Sequence, residues 1–184
     1  MCADHQALAA PPAPRNLHNI YEVCVVCLGN ICRSPMAEAL IKAELARAGL
    51  DGQVSVQSAG TGDWHLGERM DRRAQAELAR HGYDGSAHRA RQIGPDWLDK
   101  FDLLVATDRS NFRALRVLAA GRPGLDDRIR LLRSFDPAAP NGADVPDPYD
   151  GGPEDFAEVF EMVKAAARGL VAQLAAMLGD PAGG

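Results

Sequence analysis

Cys27 and Arg33 sit five residues apart in the run Val25-Val26-Cys27-Leu28-Gly29-Asn30-Ile31-Cys32-Arg33-Ser34-Pro35, which reads as an apolar strand, a tight polar turn and a helix start. Such a turn gathers a thiol, a guanidinium and the unpaired N–H groups of Leu28, Gly29, Asn30, Ile31 and Cys32 around one small hollow suited to a phosphate-sized dianion. Gly29 is expected to take the positive φ of the turn, with Asn30 the next most tolerant residue. Pro35 is expected at the first helical position, where an N–H would have been unpaired anyway. The helix dipole and the inward N–H groups favour negative charge in the hollow. The same field favours the thiolate of Cys27, the nucleophilic form. Arg33 offers a planar fork that matches two phosphoryl oxygens, which a lysine does not copy. A bare Cys-x5-Arg spacing also fits an ordinary strand–helix turn with a core cysteine and a surface arginine, so the argument needs a second piece.

That piece is Asp147, in Asp144-Val145-Pro146-Asp147-Pro148-Tyr149-Asp150. A proline on each side stiffens its backbone, because proline fixes its own φ and restricts the residue before it. A rigidly presented carboxyl group is what a general acid requires. Asp136-Pro137 reads as turn chemistry only. A third candidate is Trp64, on the Gly-rich exit of a strand, where open α/β sheets bind ligands.

The longer run Cys-x-Gly-Asn-x-Cys-Arg-Ser-Pro-x-Ala-Glu-Ala, from Cys27 to Ala39, resembles the phosphate-binding loop of the low molecular weight protein tyrosine phosphatases. The resemblance extends from about Tyr21 to Met177 and includes Asp147-Pro148-Tyr149, similar to the acid loop of that family. It implies hydrolysis of phosphotyrosine in proteins through a phosphocysteine on Cys27, with inorganic phosphate as product. In that scheme Asp147 is the acid and then the base, and Ser34 hydrogen-bonds the Cys27 sulfur. Trp64 and Tyr149 become the two walls of the substrate slot, while His88 supports Asn30 and Ser58 joins the same network. No cofactor and no metal is implied, since Arg33 and the helix terminus supply the positive charge. Many members carry a second tyrosine after Tyr149; Asp150 replaces it, which makes that wall more acidic and removes a phosphorylation switch at this position. A thioredoxin-coupled arsenate reductase, with a similar loop, needs two further cysteines downstream, and none follows Cys32. A protein-arginine phosphatase would carry Thr at position 31, where Ile31 favours phosphotyrosine. A non-catalytic phospho-ligand module would have no need of Cys27, Arg33 and Asp147 together.

These groups must be positioned by a scaffold. Ile20–Val26 is β-branched and almost continuously apolar, as in a parallel strand buried on both faces, with Cys24 as a core residue. Ala37, Leu40, Ile41, Leu45 and Ala48 then recur at helical spacing until Gly49. Further strands are expected at Gln53–Ser58, Phe101–Thr107 and Arg128–Leu132. Helices are expected over Asp71–His81, closed by Gly82, and after a cap at Asp108 with Phe112, Leu115 and Leu118 inward. The last helix starts at Pro153, with Phe156, Val159, Phe160, Val163, Ala167, Leu170, Leu174 and Met177 as its core stripe. The alternation predicts an α/β fold: a three-layer, doubly wound sandwich around a central four-stranded parallel sheet, with the site at the strand C-termini.

The 184 residues, 46% apolar and 24% charged, suit one globular domain, expected over 20–180. The Ala- and Pro-rich stretch 1–19 reads as a flexible extension. A net charge of −5, without basic runs, argues against nucleic acid or an anionic membrane as partner. Three of the four cysteines crowd between Cys24 and Cys32, which is no secreted disulfide framework. With no apolar run of about 20 residues and no signal-like start, membrane insertion is not expected and the location is read as cytoplasmic.

Overall fold

The computed structural model describes residues 9–15 and 20–179. Four parallel strands, β1 (Tyr21–Cys27), β2 (Val54–Gly60), β3 (Leu103–Ala106) and β4 (Ile129–Leu131), form one sheet in the order β2-β1-β3-β4. The helices are α1 (Arg33–Ala48), α2 (Arg72–Arg80), α3 (Pro95–Leu98), α4 (Arg109–Ala119) and α5 (Pro153–Leu178). β1 explains the layering. Its Tyr21, Val23 and Val25 join the core beneath α1, α2 and α5, while Cys24 and Val26 join the core beneath α3 and α4. Alternate side chains of a strand point to opposite faces, so a strand apolar at nearly every position must be covered on both sides. The chain passes from β1 to β2 on one side and returns past β1 to β3. This makes the C-terminal end of β1 a topological switch point, where a crevice opens in doubly wound sheets.

Several expected boundaries shift for identifiable reasons. β1 starts at Tyr21, whose N–H bonds to Gln53, and runs through Cys27, leaving Ile20 exposed outside it. β2 is longer than Gln53–Ser58 and reaches Gly60, paired to Cys27. β3 is shorter than Phe101–Thr107, because the Asp102 carboxylate turns back to accept the Glu22 N–H instead of continuing a strand. β4 is likewise confined to three residues of Arg128–Leu132. α1 begins at Arg33, so Pro35 is its third residue and not its first. The shift is tolerated because no N–H of the first helical turn has an intrahelical acceptor. Asp71 and Asp108 cap α2 and α4, accepting the N–H groups of Arg73 and Asn111. Gly49 ends α1 at φ +70°. Seven of the eight stripe residues of α5 are buried, and Met177 packs at the rim of the core.

Residues 9–15 of the N-terminal stretch lie against the end of the sheet remote from Cys27; the remainder of 1–19 falls outside the described residues. The Tyr21 hydroxyl donates to the Pro12 carbonyl at 2.9 Å, and Arg15 pairs with Asp102 at 3.0 Å. No helix of the described residues is long and apolar enough to cross a membrane.

α5 is clamped to the turn after β4 through Gly169, where a Cβ would lie 1.8 Å from the Phe135 carbonyl oxygen. Alanine normally improves a helix over glycine by about 1 kcal/mol, but overpacking against backbone costs about 1–3 kcal/mol. With a Cβ that close to backbone the cost lies at the upper end, a net loss of about 2 kcal/mol, so Gly169→Ala is expected to lower the Tm by roughly 4–8 °C in thermal melts, given about 2–4 °C per kcal/mol for a domain of this size. An unchanged or higher Tm would mean that α5 is not held at this point.

Candidate active site

Cys27 ends β1, and the chain then folds back tightly before α1. The backbone carbonyls of this loop are tied outward: Cys27 accepts from Thr61 N, Leu28 from Gly62 N, Ile31 from Asp71 N and Asn30 from His88 Nε2, at 2.7–2.9 Å. With the carbonyls held outside, none of them pairs with an amide of the loop itself. The Asn30 N–H donates to Cys27 Sγ at 3.2 Å. Those of Leu28, Gly29, Ile31 and Cys32 have no acceptor among the described residues. A concave run of amides without acceptors beside a thiol is an arrangement that can hold an anion.

The left-handed residue in the loop is Asn30, at φ +55°, and not Gly29 as expected. Its side chain explains the choice. Asn30 Nδ2 donates to Ser34 Oγ (2.8 Å) and to Ser58 Oγ (2.9 Å), and Oδ1 accepts the Arg91 N–H at 2.8 Å. Each of these bonds fixes the loop to a different segment, which glycine cannot do. Ser58 passes its own proton to Glu38 Oε2 at 2.6 Å. Ser34 Oγ lies 3.0 Å from Cys27 Sγ and 3.3 Å from the Ala59 carbonyl oxygen, so having accepted from Asn30 it has one proton to share between the sulfur and that carbonyl. Gly29 serves packing: a Cβ there would stand 3.0 Å from the His65 ring. Gly60, the pairing partner of Cys27, is needed as well, because a Cβ would come within 2.6 Å of the Leu28 carbonyl oxygen.

Arg33, in the first turn of α1, is buried and shares its fork between two carboxylates. Nη1 meets Asp108 Oδ2 at 2.6 Å, and Nη2 meets Asp147 Oδ2 at 2.5 Å. Asp108 thus does two things, capping α4 with one oxygen and orienting Arg33 with the other. The Asp147 loop is fastened to the scaffold by Val145 N, which donates to the Thr107 carbonyl just past β3. Arg73 holds its far side through the carbonyls of Tyr149 and Gly151. The Asp147 side chain is 44% exposed, so one face of its carboxylate reaches the solvent-filled mouth of the cleft.

The cleft has a volume of about 340 Å³, with Cys27 on its floor. Leu28, Gly29, Ile31, Cys32, Arg33, Trp64, Asp147 and Tyr149 also line it, whereas Asn30, Ser34, Ser58 and His88 stand behind the loop as its supports. Trp64 is 67% exposed, and its ring lies over Gly62, where a Cβ would be 1.6 Å away. His65 was not legible as a cleft residue. Its ring lies between Gly29 and Tyr149 (centroids 6.2 Å apart), with Nδ1 2.7 Å from Glu68. Asp108, Glu38 and Arg91 were missed in the same way. Asp108 carried a readable signal, since a capping carboxylate uses one oxygen and has another to offer.

Burial lowers the pKa of His88 below its ordinary value, against the smaller opposing effects of its bond to Asn30 and the nearby Glu38. The unfolded chain therefore takes up this proton more readily than the folded one. The stability due to neutral His88 is complete above about pH 6.5 and declines as the pH falls from there toward the lower folded value. Chemical denaturation of wild type and His88→Gln across this range should show a steeper acid loss in wild type. Parallel curves would remove His88 as the titrating support.

The model of the family described as "Low molecular weight phosphotyrosine protein phosphatase" matches residues 22–178. A low molecular weight protein-tyrosine-phosphatase of Streptomyces coelicolor is 54% identical over 153 residues, 83% of this chain and 92% of the relative. Low molecular weight protein-tyrosine phosphatase A of Mycobacterium tuberculosis is 49% identical, over 80% of this chain and 88% of its own. Among solved structures, YfkJ of Bacillus subtilis superposes with a TM-score of 0.77 at 36% identity, covering 87% of this chain and 96% of that one. A protein tyrosine phosphatase of Entamoeba histolytica does so with a TM-score of 0.79 at 30% identity, over 84% and 96%. The chain belongs to the low molecular weight phosphotyrosine protein phosphatase family.

Proposed function

We propose that this chain, through its domain at 20–180, hydrolyses phosphotyrosine in proteins by two-step phosphoryl transfer through Cys27. The observation that carries the reading is the Cys27 sulfur on the floor of the cleft, 3.0 Å from the Ser34 hydroxyl and 3.2 Å from the Asn30 amide, with Arg33 and Asp147 lining the same cleft. A phosphoryl dianion entering the nest exchanges with Asp147 for Arg33, whose fork then holds two equatorial oxygens while the N–H groups of residues 28–32 hold the rest. The released Asp147 carboxylate takes up a proton from solvent at the mouth of the cleft and faces the outer, bridging oxygen. The Cys27 thiolate attacks phosphorus in line, an S–P bond forms, and the P–O bond to the tyrosine breaks. The proton of Asp147 goes to the departing phenolate. Water then attacks the phosphocysteine, gives its proton to the Asp147 carboxylate, and inorganic phosphate leaves. The Ser34 proton stabilises the sulfur as the S–P bond breaks.

Support for an aryl substrate comes from the walls. Trp64 and Tyr149 both line the cleft that has Cys27 on its floor, and aromatic rings at the opening favour an aryl phosphate over phosphoserine or phosphothreonine. The chemistry draws its positive charge from Arg33 and the start of α1 and calls for no cofactor or metal. The reading takes soluble phosphotyrosine proteins of the cytoplasm as partners, with no part for nucleic acid or membrane insertion.

Leaving-group chemistry tests the assignment of Asp147. A nitrophenolate departs unaided, whereas a tyrosine phenolate, of pKa about 10, needs a proton, and such donation is worth roughly 10²–10⁴-fold. Asp147→Asn should slow phosphotyrosine hydrolysis by that order while slowing nitrophenyl phosphate far less at the phosphorylation step. It should also bind inorganic phosphate at least as tightly as wild type, because Arg33 loses a competitor. Equal slowing of good and poor leaving groups would make Asp147 a turn residue and leave the acid to be sought at Asp144, Asp150 or Asp136.

A further inference from the structure

The cleft above Cys27 does not end at the aromatic walls. A second hollow of about 520 Å³ adjoins it, and the two share Leu28, Arg33 and Asp147. Together they make a trough of two hollows that meet at these three residues, the first lined by Asp150 beside Tyr149 and the second by Arg113 on α4. A phosphotyrosine seated above Cys27 has these two hollows open to the residues that flank it in a protein.

The charges in the trough are paired except at its ends. Arg33 is bound by Asp108 and Asp147, and Arg109 by Asp144 at 3.1 Å. Arg109, Arg113 and Arg116 fall on one flank of α4 by their spacing of four and three. Arg116 reaches Asp126 at 3.4 Å, but Arg113, which is exposed, has no carboxylate partner among the described residues. At the opposite end Asp150 is exposed and has no cation or hydrogen-bond donor among the described residues. The nearby Arg73 is engaged with Asp71 and with the carbonyls of Tyr149 and Gly151.

We propose that this trough reads charge on both flanks of the phosphotyrosine: Arg113 selects an acidic side chain on one flank and Asp150 a basic side chain on the other. The proposal rests on the phosphatase reading above and deepens it by naming the substrate class, phosphotyrosine segments of opposite charge on their two sides. Both end groups are solvated, so each contributes what exposed ion pairs contribute, about 2- to 5-fold in kcat/KM. The effect should be largest at about 0.01 M salt, where charges act over about 30 Å, and should fade with added salt.

The test uses the full chain and synthetic phosphotyrosine peptides carrying Glu or Lys on the N-terminal or the C-terminal flank, with a simple aryl phosphate alongside. The ratio of kcat/KM for Glu over Lys is measured for each flank in wild type, Arg113→Glu and Asp150→Lys. Wild type should prefer Glu on one flank and Lys on the other. Arg113→Glu should erase or invert the preference on the first flank only, and Asp150→Lys on the second only. Ratios that stay the same in both variants, or variants that act on the same flank, overturn the proposal. If wild type turns over the aryl phosphate, that outcome defeats the trough alone; if it fails on the aryl phosphate as well, the phosphatase reading falls with it.

Discussion

The whole site depends on one backbone constraint: the carbonyls between Cys27 and Ile31 must point away from the sulfur so that the amides point toward it. A short loop does not adopt that arrangement unaided, since neighbouring carbonyls and amides would otherwise pair with each other or with water. Here the outward carbonyls are claimed by Thr61, Gly62, Asp71 and His88, which belong to the segments after β2 and around α2. Asn30 completes the arrangement by accepting a left-handed backbone and spending every polar atom of its side chain on fixed partners. The nest is thus built by the fold as a whole, not by the loop sequence alone, and the β2–β1–β3 order is what brings those partners within reach.

Charge follows from the same geometry. Anion-seeking amides, the start of α1 and Arg33 converge on a point with little solvent, where electrostatic interactions are stronger than in water. Asp108 and Asp147 balance Arg33 in this structure. Asp108 is anchored as a helix cap, while Asp147 sits on a proline-flanked loop at the mouth and is the more exposed of the two partners. One buried guanidinium therefore links the anion site to the position of the proposed acid.

The sequence made part of this legible because the residues of the loop are contiguous. Cys27 and Arg33 could be singled out by local reasoning, although Pro35 was expected at the first helical position and stands third, and the four-stranded parallel sheet followed from strands alternating with helices. Chain-distant contacts were harder to read. Asn30 displaced Gly29 as the left-handed residue because of bonds to Ser34, Ser58 and Arg91, and no local propensity records those. His65 enters the cleft only because the exit of β2 folds over Gly29. Asp108 reads as a cap from its neighbours, and its second role appears only once β3 lies beside β1. Residues 9–15, expected to be part of a flexible extension, instead make specific contacts with Tyr21 and Asp102 that composition does not foretell.

The most direct measurement of the central claim is to stop the turnover of a phosphorus-labelled aryl phosphate with acid during the steady state and to map the label on the chain. The account predicts a thiophosphate ester on the Cys27 sulfur, formed at the first turnover and absent from Cys27→Ser. A label on any other residue, or full turnover without a trapped phosphocysteine in either protein, would contradict it.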